Sequence, residues 1–161
     1  MRFTEAIKIG DGKIHNLCYH QRRVDRTADA FGLDKVNLAQ ALAGMPNEAT
    51  KGLIKCRILY GNEIDSIDFV PYEFQLRKRV ALVSADDLDY QFKYADRGRL
   101  NALRPHSNFD DIIVIKNGFI TDSLSANLVF ENEKGLLPPK PTCLPEQKEN
   151  PCSKRESFEK S

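Results

Sequence analysis

The chain has 161 residues, 24 basic and 23 acidic side chains interspersed along its length, and a formal charge of +1. That length supports one domain with a core or two small lobes, and the even charge offers no basic face for nucleic acid and no polyionic tail. No stretch approaches the roughly 18 apolar residues of a membrane span, and the N-terminus lacks a charged-then-apolar leader, so the chain reads as cytoplasmic with no membrane partner. Cys18, Cys56, Cys143 and Cys152 lack C-x-x-C or Cys/His spacing and read as free thiols. His15, His20 and His106 are too dispersed to suggest a metal site.

In chain order, Arg2 to Ile9 alternates as a strand, Asp11-Gly12 signals a turn, and Lys13 to His15 pairs back. A helix follows, with Asn16 as its expected cap, Leu17, Val24, Ala28 and Phe31 on one face, and Gly32 as its stop. On this helix His20 and Arg23 lie at i and i+3. Val36 to Met45 predicts a short helix ended by Gly44 and Pro46. Leu53 to Tyr60 and Ile64 to Tyr72 form a second hairpin around Gly61-Asn62-Glu63, and Gln75 to Val83 reads as a further strand of the same first sheet.

Asp86, Asp87 and Asp89 mark an interlobe linker leading to Lys93, and Arg97 to Leu103 reads as a short helix. Ile112 to Ile115 is an unbroken apolar run, Asn117-Gly118 supplies the positive-φ pair of a two-residue turn, and Phe119-Ile120-Thr121 returns antiparallel. Asp122 therefore sits at a strand end, followed by small residues and a second apolar strand, Asn127-Leu128-Val129-Phe130. Strand-end links are common places for chemistry.

The ordered set H-x-x-R (His20, Arg23), K-Y-A-D-R (Lys93 to Arg97) and N-G-F-I-T-D-S-x-x-A-N (Asn117 to Asn127) resembles the class IV aminotransferases. These are the fold-type IV pyridoxal-phosphate enzymes that include branched-chain aminotransferase and aminodeoxychorismate lyase. The resemblance covers roughly residues 1 to 137. It implies an α+β fold: a small two-layer N-terminal lobe over residues 1–84, then an interlobe linker and the first strands of a barrel-like C-terminal lobe over 85–137. It also implies pyridoxal phosphate as cofactor, a small amino-acid or amino-chorismate substrate, and a homodimer.

By the same resemblance Lys93 forms the imine with the cofactor aldehyde and then acts as base. An amine whose pKa burial has lowered suits both tasks. Asp122 pairs with the protonated ring nitrogen, and Arg23 grips the phosphate with a planar fork that keeps its charge. Three departures accompany the match: Val24 where the family has leucine, Asp122 where better-known members have glutamate, and Asp96 where the lyase branch has asparagine. The function implied is transamination of an amino acid, with an aminodeoxychorismate lyase-like enzyme and a non-catalytic remnant of the fold as alternatives.

From residue 138 the character changes: five of the eight prolines, two of the four cysteines and no glycine fall in the last segment. Such a composition cannot bury a core and predicts a disordered tail on a truncated enzyme. A shift of reading frame near Gly135 to Leu137 would account for it, because codons for the tail permit a shifted reading that contains the G-T-K-R of a phosphate loop; the alternative is a natural, disordered C-terminal extension. Sequencing the encoding DNA decides that.

Overall fold

The computed structural model describes residues 1–104, 109–124, 126, 128–133 and 135–137, and within them the fold is α+β. Strand β1 (Phe3–Gly10) forms because its apolar residues alternate: Phe3, Ile7 and Ile9 fall on one side and are buried, together with Glu5. Asp11 and Gly12 both take positive φ and return the chain into β2 (Lys13–Ile14). Strand β1 also pairs along its whole length with β3 (Leu53–Tyr60), which pairs with β4 (Ile64–Pro71). The sheet order is β2-β1-β3-β4, antiparallel throughout.

Helix α1 (Leu17–Phe31) buries Val24, Thr27 and Ala28, and its Phe31 ring lies 5.0 Å from that of Phe3. Gly32 stops it in the left-handed region, its N–H donating to the Ala28 carbonyl. Asn16 departs from its expected role as a side-chain cap. It lies at φ 55 and makes no side-chain hydrogen bond to the helix. Only two residues separate Ile14 from Leu17, so the backbone of Asn16 makes the turn itself, in a conformation asparagine tolerates.

Helix α2 (Leu38–Leu42) is shorter than its pattern suggested and is capped by Asn37, whose side chain accepts from the Gln40 N–H at 2.9 Å. Asn37→Ala is expected to cost about 1 kcal/mol. Urea unfolding measures it, and an unmoved midpoint would show that the cap contributes nothing.

A second unit begins at Phe74. Its first strand, β5 (Val80–Ser84), does not extend the first sheet as its sequence suggested but pairs in parallel with β6 (Asp111–Lys116). A parallel neighbour needs a crossover connection. Here the segment between the two strands, with helix α3 (Gly98–Ala102) in it, supplies that connection. Strand β7 (Phe119–Ser123) returns from β6 through Asn117 and Gly118, at φ 50 and 75, as the turn chemistry requires.

The core of this unit is Ala85, Leu88, Leu100, Ile112, Val114 and Leu124, with Ala81, Val83, Tyr90 and Leu103 packed against it. Strands β8 (Phe130–Asn132) and β9 (Gly135–Leu137) form a separate hairpin, so the strand expected over 127–130 is found only from Phe130 onward. Val129 is largely exposed. The expectations for His106, Asn127 and residues 138–161 fall outside the described residues.

Two further findings concern earlier expectations. Cys18 is disulfide-bonded rather than free, because spacing along a chain does not report which thiols a fold brings together. Cys56 is a free, buried thiol, and burial pushes its pKa up to about 11. Among the described residues no helix is long and apolar enough to cross a membrane.

Candidate functional site

Asp122 owes its direction to an irregularity in its strand. Counting back from the turn, Lys116 faces Phe119 and Ile115 faces Ile120, but Val114 then faces Asp122 instead of Thr121. Thr121 is the extra residue of a β-bulge, and its hydroxyl donates to the Val114 carbonyl at 3.1 Å. In an unbroken ladder Asp122 would sit opposite Ile113. The bulge moves it opposite Val114, which is buried in the core, and residues facing each other across a ladder share a face. One inserted residue thus turns a carboxylate from the outer face to the inner one.

The Asp122 carboxylate is half-buried, and its Oδ1 accepts the Ser123 N–H at 2.8 Å. Burial pushes its pKa above the ordinary aspartate value. The Ser123 amide and the charges of Lys93 and Arg97 pull the other way, while Asp111 adds to the rise. An ionised Asp122 therefore costs the fold stability at pH above its raised pKa, and the cost is relieved as pH falls through that value.

Lys93 lies in the crossover between β5 and β6 and is half-buried. The Tyr94 N–H donates to the Phe92 carbonyl at 3.0 Å, closing a three-residue turn centred on Lys93. The Phe92 and Tyr94 rings meet edge-on at 6.3 Å. The lysine and the aspartate singled out in the sequence belong to one unit, and the Lys93 charge favours the ionised form of Asp122.

Arg23 belongs to the first unit, where it has a strong partner in the chain itself. Its Nε donates to Glu5 Oε1 at 2.5 Å and its Nη2 to Glu5 Oε2, a fork-on-fork pair. His20 Nδ1 lies 2.7 Å from Glu5 Oε2 and 3.2 Å from Arg23 Nη2. The shorter contact assigns the imidazole proton to Nδ1, donating to the carboxylate. Glu5 is 1 % exposed. Burial alone would raise its pKa, but the bonds and charges of Arg23 and His20 outweigh burial and hold it below the ordinary glutamate value.

Three residues of these clusters escaped sequence reasoning. Glu5 carried a signal, since the period of two that buries Phe3, Ile7 and Ile9 also turns Glu5 inward. Arg97 stands in the K-Y-A-D-R run but had no role. Its Nη2 donates to the Leu124 carbonyl. Asp111 was given no role, yet it is 4 % exposed and its Oδ1 accepts the N–H groups of Ile112 and Leu124.

No family model matches the chain. A protein of Haemophilus influenzae, itself uncharacterised, is 33% identical over 150 residues, spanning 90% of this chain and 80% of that protein. Among solved structures, a candidate 4-amino-4-deoxychorismate lyase from Haemophilus somnus is 31% identical, with a TM-score of 0.72, over 80% of this chain and 70% of that one. A hypothetical aminotransferase from Mycobacterium tuberculosis in its PLP-bound form shares the fold at 15% identity and a TM-score of 0.71, over 89% of this chain and 63% of that one.

Proposed function

We propose a function from one premise: this chain belongs to the fold-type IV pyridoxal-phosphate enzymes, the class of the class IV aminotransferases and aminodeoxychorismate lyases, and pyridoxal phosphate is the cofactor of that family. The residues of the second unit fit the group. An amine, Lys93, and a half-buried carboxylate, Asp122, lie in that unit, and among the described residues the carboxylate accepts a single amide, leaving an oxygen for a ring nitrogen. Arg23 supplies the charge that suits a phosphate, shared with Glu5 through its Nε/Nη2 edge.

When bound, the cofactor supplies an aldehyde that condenses with amines and a ring that accepts electrons. Lys93 would hold it and would take a proton from the amino-bearing carbon of the substrate. Asp122 would keep a proton on the ring nitrogen by charge pairing, which is stronger in a half-buried site than in water. Arg23 would lend its charge to the phosphate. The reading is carried by the 31% identity to the lyase candidate of H. somnus over 80% of this chain, with Lys93 and Asp122 in one unit.

Proton transfer at that carbon is common to amino-group transfer and to elimination. The family resemblance suggests transamination of an amino acid, although K-Y-A-D-R looks closer to the lyase branch. One observation favours elimination from an amino-bearing chorismate derivative: the lyase candidate of H. somnus is 31% identical, whereas the M. tuberculosis aminotransferase, at 15%, speaks for fold alone. Purified protein given pyridoxal phosphate is expected to absorb near roughly 410–430 nm, a band set by the cofactor's own chemistry, and to lose it in Lys93→Ala. A wild-type chain without the band supports the non-catalytic reading instead, and transfer of the amino group to a keto acid separates transaminase from lyase.

A further inference from the structure

We propose that Arg97 is a positioning residue for the Lys93/Asp122 pair: it fastens the segment carrying Lys93 to the strand end carrying Asp122 and sets a second cation beside the carboxylate. The proposal rests on the function given above. Arg97 follows Lys93 by four residues and is the N-cap of α3. Its Nη2 donates to the carbonyl of Leu124, two residues beyond Asp122.

Strand β7 ends at Ser123, so Leu124 lies past the ladder. Charged side chains take over there. The Leu124 N–H donates to Asp111 Oδ1 at 3.3 Å, an oxygen that also accepts the Ile112 N–H at 2.8 Å, and the Leu124 carbonyl accepts from Arg97. The backbone next to Asp122 is thus held on one side by the strand that pairs with it and on the other by the segment that carries the lysine.

Helix α3 has five residues and little stability of its own, so this tie does much to fix where the Lys93 segment lies. The Nε of Arg97 is buried and has no hydrogen-bond partner among the described residues. A buried unpartnered donor costs stability, which a residue selected for packing alone would not carry. The groups that act on Asp122 are Lys93 and Arg97 as cations, Asp111 as an anion and the Ser123 amide.

The test is a carboxyl NMR titration of Asp122 in the full chain without cofactor. In Arg97→Met the midpoint is expected to rise by roughly half a unit to one unit, and in Arg97→Lys to return most of the way. Arg99→Met is the control on the same helix: Arg99 pairs with Asp87 at the surface, the two side chains 69% and 82% exposed, and its loss is expected to leave the midpoint where it was. Arg97→Gln removes the charge while keeping a donor for Leu124. It is expected to raise the midpoint as well, and decides the matter should the methionine variant fail to fold. A folded Arg97→Met or Arg97→Gln with an unmoved midpoint, or Arg99→Met moving it equally, overturns the proposal. Absence of pyridoxal phosphate uptake by the wild type sinks the proposed function, whereas the Asp122 midpoint, read without cofactor, still decides about Arg97.

Discussion

Arg23→Ala is expected to lose about 3 kcal/mol of stability at neutral pH, because it strips the bidentate partner from a carboxylate that is 1 % exposed. The pH dependence identifies the cause. In the wild type Glu5 titrates below its ordinary value, so the stability it contributes is present above an unfolded pKa near 4.5 and is lost as pH falls through the folded one. Without Arg23, burial is opposed only by His20, and the Glu5 pKa is expected to rise instead. The variant should then gain stability as pH falls through that raised value, the opposite slope. Urea unfolding from pH 7 to pH 4 reads both curves. Parallel curves would show that the pair contributes little. Replacing Glu5 and Arg23 together by leucine is expected to recover much of the loss, since the cost lies in the uncompensated charge.

Asp122→Asn is expected to lower turnover by roughly 10²-fold or more, the scale of removing one fixed electrostatic partner from a reacting group, and at the same time to leave the fold as stable as before or more so. Both halves follow from one fact. Burial makes the ionised carboxylate costly to the fold, and that cost is what a charge held for a ring nitrogen requires. Asp122→Glu is expected to keep much of the activity, as the longer side chain can still present a charge. Activity within a few-fold of wild type in the asparagine variant, measured on reconstituted protein, would remove Asp122 from the proposed chemistry.

Local pattern was a good guide wherever neighbours in sequence are also partners in space. Asn117-Gly118 announced the β6/β7 hairpin because only residues tolerant of positive φ make that turn, and Gly32 announced the end of α1 for the same reason. The alternation of β1 and the β-branched and aromatic residues of β3 announced those strands, but not that they pair with each other. It did not announce that β5 leaves the first sheet, because an apolar alternating strand pairs equally well in either and the choice is made by a crossover. Asn16 shows the limit at short range: its residue type suits a cap or a left-handed turn, and the short link from Ile14 selects the turn.

The site divides in the same way. Sequence alone supplied the residue types and their order: an amine at Lys93, an acid after the hairpin at Asp122, an arginine on the first helix at Arg23. Only the tertiary structure decided how they are held. The bulge at Thr121 turns Asp122 inward, Glu5 engages Arg23 from eighteen residues away, and Arg97 and Asp111 hold Leu124 across 27 and 13 residues. Hydrogen-bond register and burial depend on chain segments that meet only after folding, and a pattern read along the chain contains no term for them.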